Sequence, residues 1–252
     1  MMPLFRSVTA AVMLVIAAPV FAAALEGSTQ LVVVTTEGWD ATQGKLQAFE
    51  RTAKGWQPHG AAFDVAVGRS GSAWGEGLHP AQSGTPRKQE GDGRSPAGIF
   101  AIGPAFGYAR GVTSGLPYQP MRDTSYCMDV PDSPYYNRIV DAEVVGADAV
   151  EGSTEPMRLD LHNKGDVRYR EGFVIEHNPK ATPGRGSCIF AHLWRTPGEA
   201  TAGCTAMDPA RMTTLLAWLD ASARPRFVLL PRAEYQRLQA EWQLPVLAGS
   251  VH

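Results

Sequence analysis

Between Gly71 and Gly115 no five consecutive residues lack a glycine or a proline, and the whole 252-residue chain carries 26 Gly and 19 Pro. Proline removes a helical N–H donor and glycine raises the entropic cost of ordering, so continuous helices are excluded over that stretch. Many short elements joined by turns are expected instead, which argues against a long-helix bundle or coiled coil. With 44% apolar residues the chain can bury a core, so disorder is excluded as well. Lys plus Arg number 23 against 25 Asp plus Glu, a formal net charge of -2. That balance offers no electrostatic footprint for nucleic acid or an anionic membrane surface.

Residues 1–24 have the three parts of a secretory signal: Arg6, an apolar run from Val8 to Val20, and small residues ending in Ala22-Ala23-Ala24. The run is shorter than the ~20 residues of a membrane span and no later stretch exceeds it, so an exported protein without stable membrane insertion is expected. The alternative is an uncleaved anchor. Residues 25–252 then read as a single domain, with no internal repeat and no long linker. Export bears on the cysteines, which are three: Cys127, Cys188 and Cys204. In an oxidising compartment an odd count leaves one thiol unpaired or joined to another molecule, which makes a catalytic thiol worth testing.

The chain begins as β structure. Leu31 to Val34 reads as a buried strand, and Phe63, Val65 and Val67 alternate with Asp64, Ala66 and Gly68. The segment from Gly71 to Gly115 reads as turns and loops around one apolar piece, Ile99 to Ile102. Farther on, Phe173, Ile175 and His177 are expected on one face of a strand, and Cys188, Phe190 and His192 on one face of the next. After Cys204 the period changes: Asp208 suits an N-cap, Pro209 the first helical position, and Met212, Leu215, Leu216 and Leu219 form an apolar stripe. Arg226 to Leu230 reads as a strand, and Tyr235, Leu238 and Trp242 as a last amphipathic helix. The expected fold is mainly β, with one or two helices near the C-terminus.

Chemistry concentrates in Gly186 to Arg195 and Thr201 to Met207, where a strand-borne imidazole, His192, precedes a thiol, Cys204, on a glycine turn. A cysteine nucleophile needs a base and backbone N–H groups to hold an oxyanion. Gly203 allows a sharp turn before Cys204. In residues and order this segment resembles the L,D-transpeptidase catalytic domain of cell-wall enzymes, in which a strand His, a loop and a Ser/Thr-x-Gly-Cys turn follow one another. Glu90 to Gly98, Asp132 to Asn137 and Ile175 to Pro179 are similar to the secreted branch found in Gram-negative-type envelopes, and the resemblance covers about residues 60 to 231. It implies a β-sandwich or barrel, a location in the periplasm or cell envelope, peptidoglycan stem peptides as partners, and Cys204 with His192 as nucleophile and base. It also implies a backbone carbonyl at Leu193 or a neighbour orienting the imidazole, and Cys204 and Gly203 N–H groups for the oxyanion.

The commonest family pattern has His before the Gly-Cys pair and Arg two residues after the Cys; here Ala202 and Ala206 stand there. Arg195 and Arg185 are the candidates for that missing cation, and Arg195 and His177 are expected to contact substrate, a structural role for His177 being the alternative. Cys127 and Cys188 are expected to form a disulfide, which accounts for the odd count; two separate buried thiols are the alternative. No His-Glu-x-x-His helix and no Cys-x-x-Cys pair point to zinc, and Gly91 to Gly98 lacks the Gly-Lys-Ser/Thr ending of a phosphate loop, so no metal or cofactor is expected. The expected reaction is transfer of a tetrapeptide acyl group to an amine, by a monomer as the working expectation. Two alternatives remain at this level: a hydrolase of the same fold, acting as an L,D-carboxypeptidase or releasing wall-attached protein, and an inactive wall-binding module.

Overall fold

The computed structural model describes residues 24–247, so the expected export segment up to residue 23 lies outside the described residues. Ala24, its last residue, is buried with Leu25, and its carbonyl accepts from Arg226 Nε at 3.1 Å. The strands run in the order β1 (Gln30–Thr36), β2 (Gln43–Thr52), β3 (Gly55–Ala66), β4 (Ser72–Trp74), β5 (Ser95–Gly107), β6 (Tyr118–Pro120), β7 (Ser125–Cys127), β8 (Ile139–Asp141) and β9 (Glu155–Pro156). Then come β10 (Glu171–Ile175), β11 (Phe190–Leu193), β12 (Thr205–Met207) and β13 (Arg226–Pro231). Three helices accompany them: α1 (Ala142–Val145), α2 (Pro209–Trp218) and α3 (Arg232–Leu238).

The main sheet runs β10-β11-β12-β3-β2-β1-β13-β5, and a further pairing of β5 with β10 closes it into a barrel-like sandwich, as the mainly β expectation had it. β1 and β13 pair in parallel, and every residue of β1 is buried. Such parallel, doubly covered strands read as continuous apolar runs, which is why Leu31–Val34 and Phe227–Leu230 do not alternate. β4 and β6 extend β5, and β7, β8 and β9 form a separate small sheet that carries one wall of the site.

Within the segment expected as turns and loops, Ile99–Ile102 sits in one strand of 13 residues, β5. Its glycines and prolines mark a change of partner. Residues 98–101 pair with β13, whereas Ile102 and 105–107 pair with β10, and the register slips between Phe173 and Ile175 opposite Gly103 and Pro104. A bulge absorbs the proline that a regular ladder would reject. Gly98, at φ +141°, passes so near the His79 ring that an added Cβ would lie 1.9 Å from it.

Helix α2 forms where capping and period predict it: the Asp208 carboxylate accepts from the N–H of Ala210 at 2.8 Å and Arg211 at 3.4 Å, with Pro209 in the first turn. Met212, Leu215 and Leu216 face β10 and β11, fixing the back of the strand that carries His192. Leu219 lies just past the helix and is fully buried. Trp242 likewise follows α3 in a turn rather than extending it, and is buried beside Trp74 and His79.

Candidate active site

Cys204 is the one free cysteine among the described residues, and Cys127 and Cys188 are disulfide-bonded. The turn that carries it is built by Thr201. The Thr201 hydroxyl accepts from Gly203 N–H at 3.1 Å and donates to the Cys204 carbonyl at 2.6 Å, closing a short side-chain turn. Ser95 Oγ donates to the same carbonyl at 3.0 Å and accepts from Gly68 N–H at 2.9 Å. Thr201 also exchanges backbone hydrogen bonds with Val67 and Arg69, so the turn is pinned to the end of β3. At Gly203, φ is +152°, which favours glycine, and an added Cβ would lie in tight contact 3.0 Å from the Arg94 carbonyl.

The thiol rests on main-chain partners. Phe190 N–H donates to Cys204 Sγ at 3.4 Å, and Sγ donates to the Cys188 carbonyl at 3.4 Å. Burial, with the Glu155 carboxylate adding to it, pushes the thiol up to about 12. His192, on β11, stands in parallel register with Ala206 of β12. Its Nδ1 lies 2.8 Å from the Leu193 carbonyl, and a carbonyl only accepts, so Nδ1 carries the proton and Nε2 holds a free lone pair. Burial depresses the ring to about 4, against the smaller opposing effect of the Leu193 hydrogen bond. The resting pair is therefore a neutral thiol and a neutral imidazole. Tyr169, edge-on to His192 with ring centres 5.7 Å apart, packs the ring in place.

Both side chains border one cavity of about 220 Å³. A second, of about 230 Å³, lies on the other side of Cys204; the two share Arg69, Glu155, Ala202 and Cys204. Cys204 N–H has no acceptor among the described residues, whereas Gly203 N–H is held by Thr201, so of the two expected oxyanion donors only the first is open. Arg195 borders the first cavity but pairs with Glu199, its Nε lying 3.3 Å from a carboxylate oxygen.

His177 borders neither cavity beside Cys204. β10 ends at Ile175, and the His177 N–H turns back onto the Ile175 carbonyl at 2.6 Å, so the two-residue period does not carry on to it. The buried ring accepts from Glu76 N–H at 3.3 Å and lies 2.9 Å from the Arg185 carbonyl, bracing two loops. Cys188 likewise precedes β11, in a left-handed conformation at φ +55°, with its N–H held by Asn137 Oδ1 at 2.9 Å. Arg185 is exposed and lies 3.6 Å from Glu76, away from the thiol.

A scan against protein-family models matches residues 42–228 to YkuD, the L,D-transpeptidase catalytic domain. The chain belongs to this L,D-transpeptidase family. No curated protein and no solved structure matches it significantly. The match begins before the residues that carried the resemblance in the sequence, taking in β2 and β3, and it ends inside β13.

Seen as an L,D-transpeptidase domain, the chain lacks an arginine after its cysteine yet does not lack a cation at that place. Arg168 borders the same cavity as Ala206 and His192, and its backbone carbonyl accepts from Leu193 N–H at 3.1 Å. Its guanidinium lies 5.4 Å above the Tyr169 ring and is gripped at two points by Asp166, with Nε–Oδ1 at 3.0 Å and Nη2–Oδ2 at 2.7 Å. Its charge favours the thiolate and opposes the imidazolium. Sequence reasoning missed Arg168, Arg69 and Glu155. For Arg168 a local signal existed in the Asp166-Val167-Arg168 spacing; Arg69 and Glu155 reach the cavity only through the fold.

Proposed function

We propose that the protein is an exported L,D-transpeptidase that acylates Cys204 with the tetrapeptide stem of peptidoglycan and transfers that acyl group to an amine. The observation that carries this reading is the shared cavity: a free thiol, an unprotonated imidazole Nε2 and an open Cys204 N–H border one space. The Cys127–Cys188 disulfide agrees with an oxidising compartment. No helix among the described residues is long and apolar enough to cross a membrane.

In the first half-reaction the thiol leaves the Cys188 carbonyl and gives its proton to His192 Nε2, and sulfur attacks the carbonyl between the L-centre of diaminopimelate and D-Ala. Cys204 N–H receives the oxyanion. As the intermediate collapses, the C–N bond breaks and the imidazolium protonates the D-Ala amine, leaving a thioester on Cys204. Because neither group is charged at rest, charge separation develops only as the thiol reacts, in a site from which substrate has displaced water. Arg168 then stabilises the sulfur that becomes negative. In the second half-reaction an amine attacks the thioester and releases the thiol.

The test is mass analysis of the protein and of muropeptides after incubation with tetrapeptide-bearing peptidoglycan. A mass increase on Cys204 and new cross-links are expected. Loss of D-Ala without cross-links would replace the transferase by a carboxypeptidase, release of a bound protein by a wall-protein hydrolase, and no adduct at all would leave a wall-binding module.

A further inference from the structure

Most charged side chains around the two cavities are committed. Arg195 is paired with Glu199, Arg168 with Asp166, and Lys88 with Asp92 at 2.6 Å. Glu90 accepts from Ser187 Oγ at 2.7 Å and from Tyr136, and Asp129 from Thr154 N–H at 2.9 Å. Two remain. Neither the Glu155 carboxylate nor the Arg69 guanidinium has a hydrogen-bond or ion-pair partner among the described residues, and both border both cavities beside Cys204. They do not pair with each other. Arg69 is exposed and Glu155 partly buried, so two opposite charges stand free at the rim of one space, open to a ligand that brings the complementary charges.

We infer that Glu155 and Arg69 form the seat of the acceptor, an amine whose carbon also bears a carboxylate, with Glu155 taking the ammonium and Arg69 the carboxylate. This rests on the reading of Cys204 as an acylated nucleophile. Glu155 is placed for it by β9: it pairs with Cys127 of β7, whose disulfide partner Cys188 offers the carbonyl on which the thiol rests. Its position turns a binding contact into a catalytic one. An ammonium has no lone pair, so before attack one proton must leave it, and the Glu155 carboxylate receives that proton. The neutral amine forms the C–N bond, the C–S bond breaks with its electrons on sulfur, and a second amine proton passes through His192 to the thiolate. One proton stays on the amide, and Glu155 releases its own to water. Burial raises the Glu155 carboxyl to about 7, within reach of this exchange near neutrality; Arg168 opposes the rise, while Asp129 and Asp166 add to it.

The experiment follows how the Cys204 thioester partitions between amide and acid, a ratio set after acylation and so independent of how fast the thioester forms. The donor is a synthetic tetrapeptide ending in diaminopimelyl-D-alanine, and the acceptors are glycine, glycinamide, which lacks the carboxylate, and methoxyamine, which is uncharged at neutral pH. The wild type should favour glycine over glycinamide about tenfold, the worth of one charge-assisted hydrogen bond. Arg69→Gln, an exposed change, should erase that preference. Glu155→Gln should lower the amide-to-acid ratio about tenfold for glycine and glycinamide and leave it unchanged for methoxyamine, which needs no deprotonation. Unaltered ratios in both variants, or an equal loss with all three amines, would overturn the inference while the transferase reading stands. A wild-type protein that forms no thioester on Cys204 would overturn both.

Discussion

Cys204 Sγ rests 3.4 Å from the carbonyl of Cys188, so the free thiol is parked on the main chain of one half of the protein's own disulfide. The proposed nucleophile and the structural bridge thus share a contact although 16 residues separate them. The bridge joins β7 of the small sheet to the segment leading into β11, and the sulfur lies where the two walls meet.

Replacing that sulfur separates chemistry from folding. Cys204→Ala should abolish acylation and turnover while lowering stability by about 1–2 kcal/mol, the scale for a small buried side chain whose hydrogen bonds are weak. Intact mass after donor incubation and a denaturation curve report the two quantities, and residual turnover at wild-type rate would exclude Cys204 as the nucleophile.

For His192→Gln, loss of a general base should slow acylation roughly 10²–10⁴-fold. The pH profile distinguishes the neutral pair from a thiolate–imidazolium pair. With the ring at about 4 and the thiol at about 12, both groups keep their resting forms from pH 5.5 to 8, so in Glu155→Gln, which removes the neighbouring carboxyl at about 7, the rate of acylation should show no inflection near 6.5. Stopped-flow acylation across that range would reveal one if the ring titrated as a free histidine.

Stability should itself depend on pH. His177 and His192 both titrate at about 4 in the folded chain and near 6.5 when unfolded, because burial opposes their charged forms. Between those values the unfolded chain binds more protons, so stability rises as pH rises from 4 to 6.5, by on the order of 3 kcal/mol per ring. Glu155 acts in the opposite sense between 4.5 and 7 and offsets one of the two. A net gain from pH 4.5 to 6.5 is expected in urea titrations, and a flat or falling profile would show that the rings are not buried neutral.

Gly203→Ala should cost about 1–3 kcal/mol, since the new Cβ meets the Arg94 carbonyl in a strained conformation. Acylation should fall with it, because the same turn aims Cys204 N–H. Thr201→Val should lose acylation with a stability cost of about 1 kcal/mol, as Gly203 N–H and the Cys204 carbonyl lose their shared hydroxyl. Retained wild-type acylation in both variants would remove the turn from the mechanism.

The disulfide spans a sequence separation of 61 residues, and loop-closure entropy places its contribution at about 4 kcal/mol. The paired substitution Cys127→Ser with Cys188→Ser should lower the unfolding free energy by that amount. Because Cys188 also presents the carbonyl that receives the resting thiol, acylation by this variant should become more sensitive to temperature than in the wild type.

Local signals proved legible and long-range ones did not. Asp208 and Pro209 announce α2 because a cap and a fixed φ act within one turn of chain. His192 and Cys204 can be associated from sequence because β11 and β12 are adjacent parallel strands joined by one loop. β5 was obscured because its glycines and prolines serve a partner change set by β13 and β10, which lie far along the chain. His177 lies beyond the strand face expected for it, because a two-residue period says nothing about where a strand stops. Glu155 escaped notice because β9 is two residues long, and its position depends on pairing with β7.

The loop between β11 and β12 is anchored on its C-terminal side by Thr201, whose backbone and hydroxyl tie it to Val67, Arg69, Gly203 and Cys204. Upstream of that anchor, Arg195 to Ala200 supplies part of one cavity wall, and among the described residues no hydrogen bond joins it to Cys204 or His192. Evolution can therefore lengthen or trim this stretch, and with it the shape of the cavity, without realigning Cys204 and His192; grafted loops offer an engineer the same freedom.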